Sequence, residues 1–363
     1  MNKNQKEIDF ILKRYNLQNN LVAGKVLEEN FLSNLQIENI KKNIITALRG
    51  DKIASKTPIV IIVGGQSGSG KTALINYTQS IFSVREFIVI DNDLFRAFHP
   101  NVAYIRKYYP QFYTCATEQL GANITSDIIS YFTGNNETNS KYNIILHQTL
   151  SRSAATITHL KHFNNLGYIT GLNVLAVPYI ESKMSQIERC QAQFNSLGFC
   201  RYVDSQHHFN SVSWLLQTVN KIEENKLANF INVFSRGEDI SNPNCVYTSI
   251  NLSSSAICEN TFSSDFPNEN FNEQTDCGQS LTLRDGKNFL QIVENKNGFS
   301  SAVEAIEQTR KIKEQKCLET IKDRIDTIIK DGGLQIPGMQ PHIEEVQNFL
   351  TFSAQNCPPK PRG

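Results

Sequence analysis

The chain has 363 residues, about two to three times the length of a typical domain, so it can bury a hydrophobic core without disulfides or a metal ion. Its 36 basic and 35 acidic side chains leave a formal net charge of +1, which excludes a strongly basic nucleic-acid-binding arm and a polyanionic tail. Hydrophobic residues make up 40% of the sequence and charged residues 20%, which is typical of a globular protein.

The first 14 residues mix polar and charged side chains and show no apolar segment of a signal peptide. The longest apolar run, Ile59 to Val63, is far shorter than the roughly 20 residues that span a bilayer. We therefore expect a cytoplasmic protein without membrane contacts, and export as an effector through a C-terminal signal stays open. No two of the eight cysteines are closer than ten residues, which favours free thiols over a zinc or redox pair.

Residues 1–50 carry apolar side chains at helical spacing, and Gly50-Asp51 ends this region. Beyond it, short runs of β-branched and aromatic residues show no alternation, as expected for strands buried on both faces of a parallel sheet. Helical patterns separate these runs. The sequence therefore predicts an α/β fold with a doubly wound parallel sheet flanked by helices, and with helical N- and C-terminal extensions. The predicted strands are residues 58–64, 87–90, 142–146, 170–177 and 230–234.

The amino-acid composition changes after the last predicted strand. Residues 251–298 are rich in Asn, Ser, Asp, Glu and Gly, which predicts a polar excursion or linker. Helical spacing then returns, with an apolar stripe formed by Ile306, Ile312, Cys317, Ile321, Ile325 and Ile328. We expect four regions: an N-terminal helical region at 1–50, an α/β core at 51–250, the excursion at 251–298 and a C-terminal helical region at 299–363.

Residues 65–72 read Gly-Gln-Ser-Gly-Ser-Gly-Lys-Thr and fit the motif G-x-x-x-x-G-K-[ST] at every position, between a predicted strand and a predicted helix. Glycines let backbone N–H groups turn toward phosphate oxygens, and the helix N-terminus adds its positive dipole end. Lys71 is expected to reach the β- and γ-phosphates, and Thr72 to offer its hydroxyl to Mg²⁺. The motif predicts a P-loop NTPase-type fold, with nucleotide contacts from Gly65, Gln66, Ser67, Gly68, Ser69, Gly70, Lys71 and Thr72.

The P-loop alone leaves kinases, GTPases and motor ATPases open. A guanine-reading N-K-x-D segment does not follow the loop in the sequence, and no D-x-x-G follows the third predicted strand. These absences disfavour GTPases and, by elimination, favour a small-molecule kinase.

Two acids follow the second predicted strand, Asp91 and Asp93. Ligands of doubly wound sheets bind beyond the carboxyl ends of the strands, so both acids are expected near the γ-phosphate if the first two strands lie close together. A carboxylate there can accept a proton from a substrate hydroxyl or hold Mg²⁺ through water. We expect Asp91 to cap the following helix and Asp93 to take part in the chemistry.

Three segments together resemble the zeta toxin family of P-loop kinases: GGQSGSGKT, IDNDLFRAFHPN and LNVLAVPYIESKMSQIER. The resemblance extends over about residues 35–255. It implies an enzyme that uses ATP and Mg²⁺ to phosphorylate a sugar hydroxyl of UDP-N-acetylglucosamine or a related nucleotide sugar. It also implies a small antitoxin as a protein partner.

The resemblance also implies roles for individual side chains. Asp93 matches the general base, and Lys71 and Thr72 match the phosphate and magnesium contacts. Arg189 matches an arginine that stabilises the transferring phosphates, and Arg201 lies close to a second one in the sequence. Two guanidinium groups suit the charge that spreads over phosphate oxygens in the transition state. Arg236 is expected on the adenine side.

The sequence departs from the family pattern at the acceptor site. A family glutamate is replaced by His147, whose neutral ring offers one acceptor where a carboxylate accepts two hydroxyl donors. A second family acid falls at Ser126, next to Asp127, which could compensate, while Thr149 keeps its place. Two alternatives therefore stay open: a degenerate ATP-binding member that acts as a regulatory or interaction module, and a P-loop kinase with another acceptor. Nucleic acid is disfavoured as an acceptor by the net charge.

Overall fold

The computed structural model describes residues 3–81, 87–198, 200, 203, 205–237, 242–251 and 298–356. Its sheet has the strand order β2-β3-β1-β4-β5-β6. The first five of these strands in sequence are parallel, and β6 runs antiparallel to β5. The predicted doubly wound α/β fold is confirmed. The strands are β1 (Ile59–Gly64), β2 (Phe87–Ile90), β3 (Asn143–Gln148), β4 (Ile169–Leu175), β5 (Phe230–Ser235) and β6 (Asn244–Ile250).

Strand β6 was not predicted from the sequence. Its side chains are mostly half-buried or exposed, so it lacks the continuous apolar run that marks the buried strands. The other difference concerns order, because β3 lies between β1 and β2. The acids after β2 are therefore one strand further from the phosphate loop than adjacent strands would place them.

The thirteen α-helices of the described residues surround this sheet. They are α1 (Lys3–Arg14), α2 (Leu21–Glu29), α3 (Asn34–Arg49), α4 (Lys71–Ile81), α5 (Asn92–Phe95), α6 (Val102–Tyr108), α7 (Tyr113–Ala116), α8 (Ala122–Phe132), α9 (Ser153–Asn165), α10 (Tyr179–Leu197), α11 (Ser205–Glu224), α12 (Ala302–Lys330) and α13 (Gln340–Asn356). The helical character predicted for residues 1–50 and for the region after 299 is present in the described residues, as α1 to α3 and as α12 and α13. In the described part of the chain, no helix is long and apolar enough to cross a membrane.

The core explains why β1 reads as an unbroken apolar run. Val60 and Ile62 point into one buried cluster with helices α3, α8 and α11, while Ile61 and Val63 point into a second cluster with α4. Both faces of the strand are covered, so neither set of alternating positions can be polar. The helices before residue 34 belong to a third cluster, in which α1 and α2 pack against α6 and α7.

The C-terminal helices pack back onto the α/β core. Helix α12 contacts α10, α11, β5 and β6, and α13 contacts α10 and α12. The predicted apolar stripe of α12 holds at Ile306, Ile321 and Ile325, which are buried, but it is wrong at Ile312, which is exposed. A stripe from Ile306 at spacings of three and four residues passes through Arg310 and Lys313 instead. Arg310 is buried.

The expectation of free thiols is wrong for one pair of cysteines. Cys190 in α10 is disulfide-bonded to Cys200. Helix α10 ends at Leu197 and is capped by Gly198, whose left-handed backbone (φ +73°) turns the chain back, and the two Cα atoms lie 4.9 Å apart. Cys115 and Cys317 are free thiols.

Candidate active site

The phosphate loop connects β1 to α4 and takes its shape from two glycines. Gly68 and Gly70 have φ angles of +79° and +97°, a backbone region that disfavours other residues. A side chain at Gly68 would also overlap the carbonyl oxygen of Ser182 in α10. The loop therefore wraps tightly, as the motif predicts.

The loop presents unused donors. The backbone N–H groups of Gly68, Gly70, Lys71 and Thr72 have no acceptor within the described residues. The hydroxyl of Ser69 is buried and also lacks a partner there. Buried polar groups are normally satisfied, so this set calls for a ligand rich in acceptor oxygens. The phosphates of a nucleotide fit that requirement, with the N-terminus of α4 adding favourable charge.

Lys71 is buried and interacts electrostatically with the other charged residues of the site. Its Nζ atom donates to the carbonyl oxygens of Gly65 and Gln66, at 2.8 and 3.0 Å. Burial, followed by the charge of Arg189, lowers the pKa of Lys71 to about 8, against the opposing charges of Asp91 and Asp93. The predicted phosphate lysine, arginine and acids are thus close enough to interact electrostatically. Thr72, next to Lys71, is exposed.

Side chains of the loop itself, of α10 and of the segment after β5 hold the loop in place. The buried amide of Gln66 donates to the carbonyl oxygen of Val177 at 2.6 Å, and Gln186 donates to that of Ser67 at 3.0 Å. Arg236 donates to the carbonyl oxygens of Gly68 and Ser69, the latter at 3.1 Å. Its guanidinium also pairs with Glu181 at 3.1 Å. The structure therefore places Arg236 against the loop backbone, where it supports the loop.

The two acids after β2 have different surroundings. The Oδ1 atom of Asp91 accepts from the backbone N–H of Asp93 at 2.9 Å and so caps α5, as expected. The same oxygen lies 3.1 Å from Nδ1 of His147 in β3. The side chain of Asp93 is 56% exposed, with its Oδ1 atom 3.7 Å from Nε of Arg96. Asp93 is therefore the acid that an incoming substrate can reach.

Arg96 belongs to a network that was not predicted from the sequence. Its guanidinium is buried and lies 2.7 Å from a carboxylate oxygen of Glu118, which is buried as well. Glu118 also accepts from Tyr15 at 2.6 Å and pairs with Arg14 at 2.6 Å. Burial and the Glu118 carboxylate raise the pKa of Tyr15 to about 12, which keeps its proton in the hydrogen bond. The end of α1 is thereby connected to Asp93 through two charged side chains.

The other predicted site residues are distributed differently. Arg189 is on the exposed face of α10, within electrostatic range of Lys71. Asp127 in α8, the acid expected to compensate for His147, is exposed. It forms an ion pair with Lys41 of α3 at 3.0 Å. The hydroxyl of Thr149 is 2.8 Å from that of Ser151. Arg201 lies outside the described residues.

Helix α12 also reaches the loop, which sequence reasoning missed. The Nη2 atom of Arg310 donates to Oε1 of Gln66 at 3.2 Å, and Lys313 donates to the carbonyl oxygen of Arg236 at 2.9 Å. The available signal was the spacing of the stripe, because two cations occupy positions at which a buried face would carry apolar residues. That pattern marks a buried polar contact without identifying the other side of it.

A phosphate loop at the centre of a mostly parallel sheet, with acids after the edge strand β2, defines a P-loop kinase-like protein. The model of the zeta toxin family matches residues 45–249, more than half of the chain. The chain therefore belongs to the zeta toxin family. Helices α1, α2, α12 and α13 lie outside the matched residues.

Individual relatives support the assignment. The toxin PezT of Streptococcus pneumoniae serotype 4 is 26% identical over 218 residues, which cover 60% of this chain and 81% of that protein. Toxin zeta of Streptococcus pyogenes is 32% identical over 162 residues, or 44% of this chain and 53% of that toxin. A solved structure from the PezAT chromosomal toxin–antitoxin system of S. pneumoniae has a TM-score of 0.52 at 23% identity, covering 62% of this chain and 86% of that one. That structure shares the fold.

Proposed function

We propose that this protein is an ATP-dependent kinase that transfers the γ-phosphoryl group to a hydroxyl of UDP-N-acetylglucosamine or a related nucleotide sugar. The observation that carries the proposal is the convergence of the phosphate loop, Lys71, Arg189 and the exposed Asp93 at one end of the sheet. The backbone N–H groups of the loop can bind the oxygens of a triphosphate, and the exposed carboxylate can accept the proton of an acceptor hydroxyl.

Each side chain has a distinct role in this proposal. Asp93 accepts the proton of the attacking hydroxyl as the general base. Lys71 and Arg189 donate to phosphate oxygens on which negative charge accumulates during transfer. Mg²⁺, held by the hydroxyl of Thr72 and by the phosphates of ATP, would neutralise part of that charge. Arg201 is the second arginine suggested by the resemblance.

The acceptor side depends on the pair formed by His147 and Asp91. Their atoms Nδ1 and Oδ1 are 3.1 Å apart, so the imidazole is turned toward the cap of α5. His147 lies near the end of β3 and Thr149 in the loop that follows it, where both can bind hydroxyl groups of a sugar. With Asp127 paired to Lys41, a nucleotide sugar other than UDP-N-acetylglucosamine is a realistic acceptor.

The partner expected for this function is a small antitoxin protein. Its support is the similarity to the toxin PezT and to a solved structure from the PezAT toxin–antitoxin system. Such a partner would silence the kinase until its release.

The test is to incubate the purified chain with ATP·Mg²⁺ and a panel of UDP-sugars and nucleosides and to measure product masses. We expect one phosphorylated nucleotide sugar, and none from a Lys71→Met variant. A thermal shift with ATP·Mg²⁺ is measured in parallel. ATP binding without any phosphorylated product would overturn the kinase assignment and favour the interaction-module alternative.

A further inference from the structure

Helix α12 carries a charged group to the phosphate loop from outside the residues that match the family model. Arg310 donates through Nη2 to the side chain of Gln66 and through Nη1 to the carbonyl oxygen of Val212 in α11, both at 3.2 Å. Its third donor, Nε, is buried without a partner in the described residues. The guanidinium is thus wedged between the loop and α11 and bound only to neutral oxygens.

The charge of Arg310 has no counter-charge at ion-pair distance in the described part of the chain. Glu307, one turn earlier in α12, is exposed and acts on Arg310 only at longer range. Burial lowers the pKa of Arg310 to about 10, which reflects the cost of holding the cation there. Arg96 and Arg236 differ, because each pairs directly with a carboxylate. A buried cation without a partner is destabilising unless something compensates it.

A purely structural role does not explain an arginine here. A hydrogen bond to Gln66 and contact with α11 require only a neutral donor of similar length. The position beneath a phosphate loop supplies a different explanation, because a bound triphosphate brings several negative charges to the other side of Gln66. In a low-dielectric surrounding these charges act on the guanidinium over several ångströms.

We propose that Arg310 is a positioning residue of the nucleotide site, which fixes Gln66 and provides a buried positive charge that the nucleoside triphosphate neutralises on binding. This inference rests on the proposed function only in taking a nucleoside triphosphate as the ligand, and it does not depend on the acceptor. Helix α12 is then part of the ATP site, and its contribution to affinity grows with the number of phosphates on the nucleotide.

The test compares Arg310→Gln, which removes the charge, with Arg310→Lys, which keeps it. Lys311→Gln is the matched control, because Lys311 is an exposed cation next in the same helix. Dissociation constants of ATP·Mg²⁺, ADP and adenosine are measured by calorimetry. We expect Arg310→Gln to bind ATP about tenfold more weakly, ADP less affected and adenosine unchanged. Arg310→Lys should recover most of the loss, and the control should match the parent.

Stability without nucleotide separates the proposal from a structural role. Because Arg310→Gln removes an uncompensated charge, its unfolding midpoint without ATP should equal or exceed that of the parent. A variant that unfolds more readily without ATP, or loses affinity equally for ATP and adenosine, would overturn the proposal. Parental ATP affinity in Arg310→Gln would do the same. Failure of the kinase assignment has a different signature, which is absence of phosphorylated sugar in a chain that still binds ATP.

Discussion

The N-terminal and C-terminal helical regions both contact the site, but the charges in the two contacts are balanced differently. The N-terminal helices reach Asp93 through Glu118, where one buried carboxylate pairs with Arg96, Arg14 and the hydroxyl of Tyr15. Helix α12 of the C-terminal region reaches the phosphate loop through Arg310, which has no carboxylate at ion-pair distance in the described residues. A network whose charges are paired fixes geometry, whereas a charge without a counter-charge responds to what binds next to it.

The comparison therefore separates two functions of added helices. On the base side, meaning the Glu118 network next to Asp93, the charges are paired without substrate. We therefore expect this network to stabilise the fold and to orient Asp93. On the phosphate side, meaning Arg310 next to the phosphate loop, the charge is balanced only when nucleotide binds. Removal of the Arg310 charge is therefore expected to alter ligand affinity more than stability. The predictions below test each half of this difference.

The largest expected effect is that of Asp93→Asn on turnover. The amide cannot accept the hydroxyl proton, and loss of general-base catalysis costs about 100- to 10,000-fold in rate. ATP·Mg²⁺ should still stabilise the variant, because the loop is untouched. Steady-state kinetics with the accepted sugar and a thermal shift measure the two quantities. An Asp93→Asn enzyme with parental kcat would show that another group is the base.

Glu118→Gln should be the most destabilising single change on the base side. It leaves Arg96 buried without its carboxylate, and breaking a buried pair in this way costs about 3 kcal/mol or more. Urea unfolding at neutral pH measures the loss. The control is Glu38→Gln, because Glu38 forms an exposed pair with Lys41 that should contribute less than about 1 kcal/mol. Equal losses in the two variants would contradict a special role of the network.

A pH-dependent effect is expected from His208, on the phosphate side. This side chain is fully buried in α11, with Nε2 3.0 Å from the hydroxyl of Ser182. Burial, followed by the charge of Lys183, lowers the pKa of His208 to about 4, with a smaller contribution from Lys71 in the same direction and opposed by Glu345.

The sign follows from proton binding. Between the unfolded pKa of about 6.5 and the folded value, the unfolded chain binds a proton that the native chain does not, so stability falls as pH falls through this window. The loss is about 2 kcal/mol between pH 7 and pH 5. His208→Gln should lose less stability over that range than the parent, whereas the exposed His162→Gln should behave like the parent. A parental slope in His208→Gln would contradict a buried neutral imidazole.

Sequence reasoning recovered what depends on neighbours along the chain. The five parallel strands follow from apolar runs, and the phosphate loop and the cap by Asp91 follow from short motifs. Contacts made by tertiary packing could not be recovered. Arg310 and Gln66 are 244 positions apart, and Tyr15 and Glu118 are 103 apart. No local pattern pairs such residues. Strand β6 escaped prediction for another reason, because most of its side chains are half-buried or exposed and it lacks a buried apolar run.

The smallest expected effect isolates the far end of the base-side network. Tyr15→Phe removes one hydrogen bond to Glu118 and leaves its pairs with Arg96 and Arg14 intact. We expect a loss of about 1 kcal/mol in the free energy of unfolding and little change in kcat, because Arg96 keeps its carboxylate and Asp93 keeps Arg96. Tyr104→Phe, at an exposed tyrosine of α6, is the control and should leave both quantities at parental values. If Tyr15→Phe lowers kcat tenfold while stability is unchanged, α1 acts directly on the base, and the distinction between a stabilising N-terminal side and a ligand-responsive C-terminal side fails.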